Sequence, residues 1–185
     1  MIYIFFHLRT AGFLLGIVLI VAHAFALMNE GTAGAWLKRF PRSRLMGFIT
    51  LTVAAAWAFW LVWTMDLGEF DKYRTLGKIL ILAAYFLSLK FVDEFLAVRA
   101  SGMLCLLAAE PFLEAAFLRP EASRLLIVSL VYTWIVLGMI WVGMPYVMRN
   151  QIAWITKTRL RWKALCLVGI AYGAVILICA AMFYA

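Results

Sequence analysis

The residues able to do chemistry in this chain are few, and most of them interrupt apolar sequence. In MLCLLAAEPFLEAAFL, residues 103 to 118, two carboxylates, Glu110 and Glu114, stand in a stretch otherwise suited to lipid. Its seven Leu and Phe residues favour insertion by roughly 0.5 kcal/mol each, about 3.5 kcal/mol together. One charge near the centre of a bilayer costs on the order of 3 kcal/mol, so two ionised glutamates would cancel that gain. Both must be protonated, paired or turned toward a polar interior. A spacing of four places them on one helix face. Pro111 between them is accommodated by a local kink that frees a nearby carbonyl.

Counted at about 1.5 Å per residue, Glu110 and Glu114 fall in the outer half of the membrane, at the depth of His7 and Arg9 in the first apolar segment. The expected arrangement is Arg9 paired with Glu114 or Glu110, with His7 beside it. Such a cluster either fixes helix register or forms a proton path, an ion path or a polar ligand site. A second polar layer is expected toward the opposite face. Lys90 has Asp93 and Glu94 at i+3 and i+4, and His23 reaches a comparable depth. The two histidines are about 24 Å apart along one helix and about 160° apart around it. They cannot grip one iron together, and a haem would need a Met ligand or a histidine from a second subunit. No cofactor is expected, with haem as the lesser alternative.

These groups have to be positioned by helices in lipid. The chain has 185 residues, 67% of them hydrophobic, and a mean hydropathy of +0.99, well above soluble domains. Apolar runs of about 20 residues cover residues 2–28, 47–65, 75–98, 101–118, 125–148 and 164–184. No segment alternates with period two, which argues against a barrel. The expectation is an all-α, polytopic integral membrane protein: one domain, 1–185, forming a bundle of about six transmembrane helices. The third run can instead stop near Lys90, which would turn Asp93 and Glu94 into ordinary solvated surface. Arg9, the following apolar run and Ala22-His23-Ala24 resemble a secretory signal, but the segment is read as an uncleaved first span.

The formal net charge is +8, from 17 Lys and Arg against 9 Asp and Glu. With six spans, eleven of the basic residues share one side and six the other. The richer side should be cytoplasmic, which puts both termini outside, in a bacterial inner membrane. The partner implied is the bilayer with its anionic headgroups, not nucleic acid. The segment RNQIAWITKTRLRWK should lie at headgroup level, its Lys157, Arg159, Arg161 and Lys163 reaching anionic lipid.

Other patterns read as packing. Gly12-x-x-x-Gly16 and Gly169-x-x-x-Gly173 permit close helix approach, within the bundle or against a partner. Trp57, Trp60 and Trp63 form a stripe running toward the outer face, an aromatic belt or a quinone groove. Gly138, Gly143 and Pro145 suggest a bend. Cys105, Cys166 and Cys179 read as small packing residues. The chain has no Walker loop, dinucleotide fingerprint, HExxH or nucleophile elbow, so nothing points to an enzyme. The leading expectation is an accessory or scaffold subunit of a larger membrane complex, joined to other subunits or to itself. The alternatives are a small proton- or ion-coupled transporter and a haem- or quinone-binding redox subunit.

Overall fold

The computed structural model describes residues 7–91 and 95–184. Among these the chain forms eight α-helices and no strand: α1 (Leu8–Met28), α2 (Glu30–Arg39), α3 (Arg44–Thr64), α4 (Arg74–Phe91), α5 (Leu96–Ala116), α6 (Arg124–Gly143), α7 (Tyr146–Ile155) and α8 (Arg159–Met182). Five of them, α1, α3, α5, α6 and α8, are long and apolar enough to cross a membrane. The expected count was six. The run that falls short is α4, whose 18 residues carry Arg74, Lys78 and Lys90.

Local chemistry sets the ends. Ser43 begins α3 by accepting the Met46 N–H on its hydroxyl at 3.2 Å, and Thr158 does the same for Arg161 at the start of α8, satisfying donors that a helix cannot satisfy itself. Pro145, which has no N–H to extend a helix, sits at the N-cap of α7. The bend expected near Gly143 is therefore a full break between α6 and α7. The stretch between the first two apolar runs holds a further helix, α2.

Glycines let the long helices touch. α1 and α8 run antiparallel, and the two glycine motifs face each other inside this one chain. A Cβ on Gly16 would stand 2.9 Å from the Gly173 carbonyl oxygen, and one on Gly173 would stand 3.0 Å from the Gly16 oxygen. α5 and α6 are joined likewise through Gly102 and Gly138, antiparallel. Small residues at a seam bring backbones into van der Waals reach, which is how helices associate where lipid competes for apolar surface.

Each end of the α5–α6 pair is tied by an arginine. Arg99, in the first turn of α5, donates to the Val142 carbonyl near the end of α6 at 2.7 Å. Arg124, the first residue of α6, donates to the Ala116 carbonyl at the end of α5 at 2.9 Å. Last-turn carbonyls lack partners in their own helix and carry the negative end of its dipole, so a guanidinium satisfies both needs.

The core lies in the half of the bundle nearest the start of α1, where α1, α5, α6 and α8 meet. Leu8, Leu15, Phe112, Ile127, Val131 and Ile176 are buried there. Just beyond α8, Tyr184 closes it by donating from its hydroxyl to the Ser123 carbonyl at 2.9 Å. Burial pushes that hydroxyl above its ordinary pKa, which keeps it a donor. The outer surface is apolar: Val18, Val21 and Phe25 of α1 and Leu80, Phe86 and Leu87 of α4 are all exposed. In water such a surface would be a liability; against acyl chains it is the matched solvent.

α3 and α5 run parallel, with Gly47 against Ala97. α4 returns antiparallel beside α3, where Tyr85 shares a hydrogen bond with Thr52 at 3.0 Å. None of the α4 residues is buried. An apolar gap of about 330 Å³ separates α3, α4 and α5.

Candidate functional site: polar groups at membrane depth

α5 carries Glu110 and Glu114 on one stripe, with Pro111 inside the helix between them. Glu110 is exposed on the bundle surface and Glu114 is half-buried. The opposite side of α5, through Ala109, Phe112, Ala115 and Ala116, is the one buried in the core with α1. At about 100° per residue the two carboxylates therefore point away from α1.

Arg9 is exposed and lies over the Phe13 ring of its own helix, 5.8 Å from the centroid. His7 is the N-cap of α1, and its carbonyl accepts the Ala11 N–H at 3.0 Å. Among the described residues the ion pairs are Arg74–Asp71 and Arg159–Glu30. None links Arg9 or His7 to Glu110 or Glu114. The structure brings the two glutamates together on one stripe and leaves Arg9 and His7 apart from them.

In the second layer, Lys90 lies over the Phe91 ring at 5.5 Å, while Asp93 and Glu94 fall outside the described residues. His23 is a packed, hydrogen-bonded ring. Its Nδ1 lies 2.8 Å from the Leu19 carbonyl, which can only accept, so Nδ1 carries the proton. The ring is seated on Gly169, where an added Cβ would come within 2.4 Å of it. Among the described residues no group of three or more His, Cys, Asp or Glu is arranged to hold a metal ion.

The basic segment is divided between α7 and α8. Arg161 lies over the Trp154 ring at 4.6 Å, Lys157 and Lys163 are exposed, and Arg159 pairs with Glu30 at 3.3 Å. Glu30, which lies between the first two apolar runs, was not singled out in the sequence; the signal was an acid immediately before a glycine-spaced amphipathic run, GTAGAWLK. At the other end of the bundle, Lys78 sits 3.7 Å above the Trp63 ring. Arg74 was not singled out either, and it caps α3 by donating to the carbonyls of Trp63 and Met65.

Two hollows open where α2 crosses the end of the bundle. One, of about 590 Å³, is apolar and is lined by α1, α2 and α8, His23 and Trp36 among the wall residues. The other, of about 470 Å³, is polar and lies between α2 and the α7–α8 turn.

An apolar exterior, spanning helices sewn by glycines and ionisable groups set at membrane depth define a helical membrane protein. No protein-family model, curated protein or solved structure matches this chain.

Proposed function

We propose that this chain is a six-crossing subunit of a larger assembly in a bacterial inner membrane, with a scaffolding rather than a catalytic role. One observation carries the reading: Glu110 is exposed on α5, six residues from its end, without an ion pair to any described residue. At about 1.5 Å per residue that is about 9 Å inside the helix end, where a bare carboxylate costs a sizeable part of the roughly 3 kcal/mol of a mid-membrane charge. A neighbouring subunit that covers the stripe of Met103, Leu106, Glu110 and Glu114 with a Lys or Arg removes that cost. The thin attachment of α4 supports the same view, because a helix with no buried residue has apolar surface left to share.

The sixth crossing is α4. Since α3 and α5 run parallel, α4 is the element available to carry the chain back across. Its basic residues lie near its ends, where they can reach the headgroups. The end of the bundle that holds α2 and α7 then carries eleven basic residues and faces the cytoplasm, with both termini outside.

The test is purification in mild detergent with mass spectrometry of the co-purifying chains. A stoichiometric partner, lost from the Glu110→Gln variant, is the expected result. Recovery of the chain alone, unchanged by that substitution, would overturn the proposal. Carboxylates at membrane depth also favour a second reading, a proton-coupled transporter, which requires flux across pH to change in Glu110→Gln and Glu114→Gln. A visible spectrum of the same preparation tests the redox alternative, for which a Soret band would speak.

A further inference from the structure

The two hollows beside α2 have complementary chemistry and a common wall. α2 presents Gly31, Gly34, Ala35 and Lys38, spaced i, i+3, i+4 and i+7, to the polar hollow, and Thr32, Ala33, Trp36 and Leu37 to the apolar one. Residues so spaced share a helix face, so one short helix separates a basic site from an oily one. Trp162 of α8 lines both. Its indole N–H donates to the Ala26 carbonyl at 3.1 Å, which fixes the ring as the boundary.

The polar hollow is built to receive an anion. Lys38, Lys157 and Arg159 line it against a single acid, Glu30. The Glu30 carboxylate engages Arg159 through Nε at 3.3 Å, which orients the guanidinium while its terminal N–H groups remain available. Thr158 adds a hydroxyl whose oxygen accepts the Arg161 N–H and whose proton can turn to the hollow, whereas the Thr156 hydroxyl on the same wall donates to the Ile152 carbonyl. The floor is open: a Cβ added to Gly31 or Gly34 would meet nothing within 4 Å, so an oxygen-rich group can settle against the backbone there.

The apolar hollow next door, at about 590 Å³, falls in the range of small-molecule sites, roughly 300–1,000 Å³. Its walls include Phe25, Trp36, Leu37, Trp162 and Leu165. A free inorganic anion would use the basic hollow and leave this one unused. An uncharged lipid would do the reverse.

We infer that this end of the protein holds one anionic phospholipid, its phosphate between Lys38, Lys157 and Arg159 and one acyl chain laid past Trp162 into the hollow beneath α2. The inference depends only on the protein lying in a bilayer, and not on the subunit proposal. It goes beyond general attraction between basic loops and a charged membrane, because it predicts a bound molecule with a defined headgroup and chain position.

Native mass spectrometry of the full chain in detergent tests it, with phosphatidylglycerol, phosphatidylcholine of the same acyl composition and inorganic phosphate as probes. One phosphatidylglycerol per chain should be retained in preference to phosphatidylcholine. The double variant Lys38→Gln/Lys157→Gln should weaken that retention about tenfold or more, given what each basic residue contributes near anionic lipid. The charge-matched control Arg161→Gln/Lys163→Gln, outside the hollow, should change it little. Ala33→Phe, which fills the apolar side and leaves every charge in place, should also weaken phosphatidylglycerol binding without affecting inorganic phosphate. Equal retention of the two lipids, equal loss in the control pair, or a site that inorganic phosphate fills equally well would each overturn the assignment. All the charge substitutions are at exposed or half-buried residues, and Ala33→Phe provides an independent arm should a charge variant fail to fold.

Discussion

Gly102→Ala is the smallest change that tests how α5 and α6 are joined. The added methyl would stand 2.7 Å from the Gly138 carbonyl oxygen, 2.9 Å from Val142 Cγ2 and 3.2 Å from the Val142 backbone nitrogen. Ordinary contact begins near 3.4 Å, so the closest approach is short by about 0.7 Å, the difference of those two distances. Two of the three obstructing atoms are backbone and cannot rotate away, so the helices must separate. Separation also stretches the Arg99 bond to the Val142 carbonyl, 2.7 Å in the native pair. Overpacking of this kind costs about 1–3 kcal/mol, toward the upper end where backbone is the obstacle, and the better helix propensity of Ala returns up to about 1 kcal/mol, leaving a net loss of about 1–2 kcal/mol. Unfolding followed by circular dichroism in mixed micelles should show the variant less stable by that net amount. The same substitution at Gly34, where the space is open, should be neutral or stabilising. Adding Val142→Ala to Gly102→Ala removes the 2.9 Å clash but leaves the 2.7 Å one, so rescue should be partial. A Gly102→Ala protein as stable as the parent, or full rescue by Val142→Ala, would refute the close backbone approach.

Three further outcomes follow from the packing. Gly169→Ala should destabilise because its methyl would overlap the His23 ring, and the pair Gly169→Ala/His23→Ala should recover part of that loss, giving a non-additive cycle in the same unfolding assay. Trp162→Phe keeps most of the shape but removes the indole donor to Ala26; thermal unfolding should report a loss of about 1 kcal/mol. Arg159→Gln breaks the pair with Glu30, whose side chains are 83% and 29% exposed, and should cost under about 1 kcal/mol; a large loss would mean that the pair is shielded from solvent.

Much of the architecture was legible because lipid imposes a length. The run ending at Met28 and the run after Lys163 were found from hydropathy alone, and they overlap α1 from Leu8 onward and α8 as far as Met182. Other features depended on information that hydropathy does not carry. Three basic residues in α4 dilute its apolar character, so it falls short of the other five. The run 125–148 carried α6 past its end into the first residues of α7 because Gly143, Met144 and Pro145 are apolar enough to continue it, while the missing proline N–H ends the helix. GTAGA carries little apolar signal of its own, and it is Trp36 and Leu37 that give its helix a face to set against α1 and α8.

The polar groups show the same division. Counting residues gives depth along the membrane normal, and on that measure Arg9 and Glu110 are level. It does not give rotation. Which side of α5 meets α1 is decided by Ala109, Phe112, Ala115 and Ala116, whose small or flat side chains fit the core, and the glutamates lie opposite. The glycine motifs announced close contact without naming a partner. That each would find the other, from the two ends of the chain, required the structure.

The pairing of α1 with α8 has a bearing on biosynthesis. α1 leaves the ribosome before every other described helix and α8 after them, so the groove at Gly12 and Gly16 stays vacant while the helices between them are translated. During that interval lipid or the insertion machinery has to line it. A nascent chain cut short before α8 would enter the bilayer with that groove unfilled, and quality control would have a ready mark of an unfinished molecule.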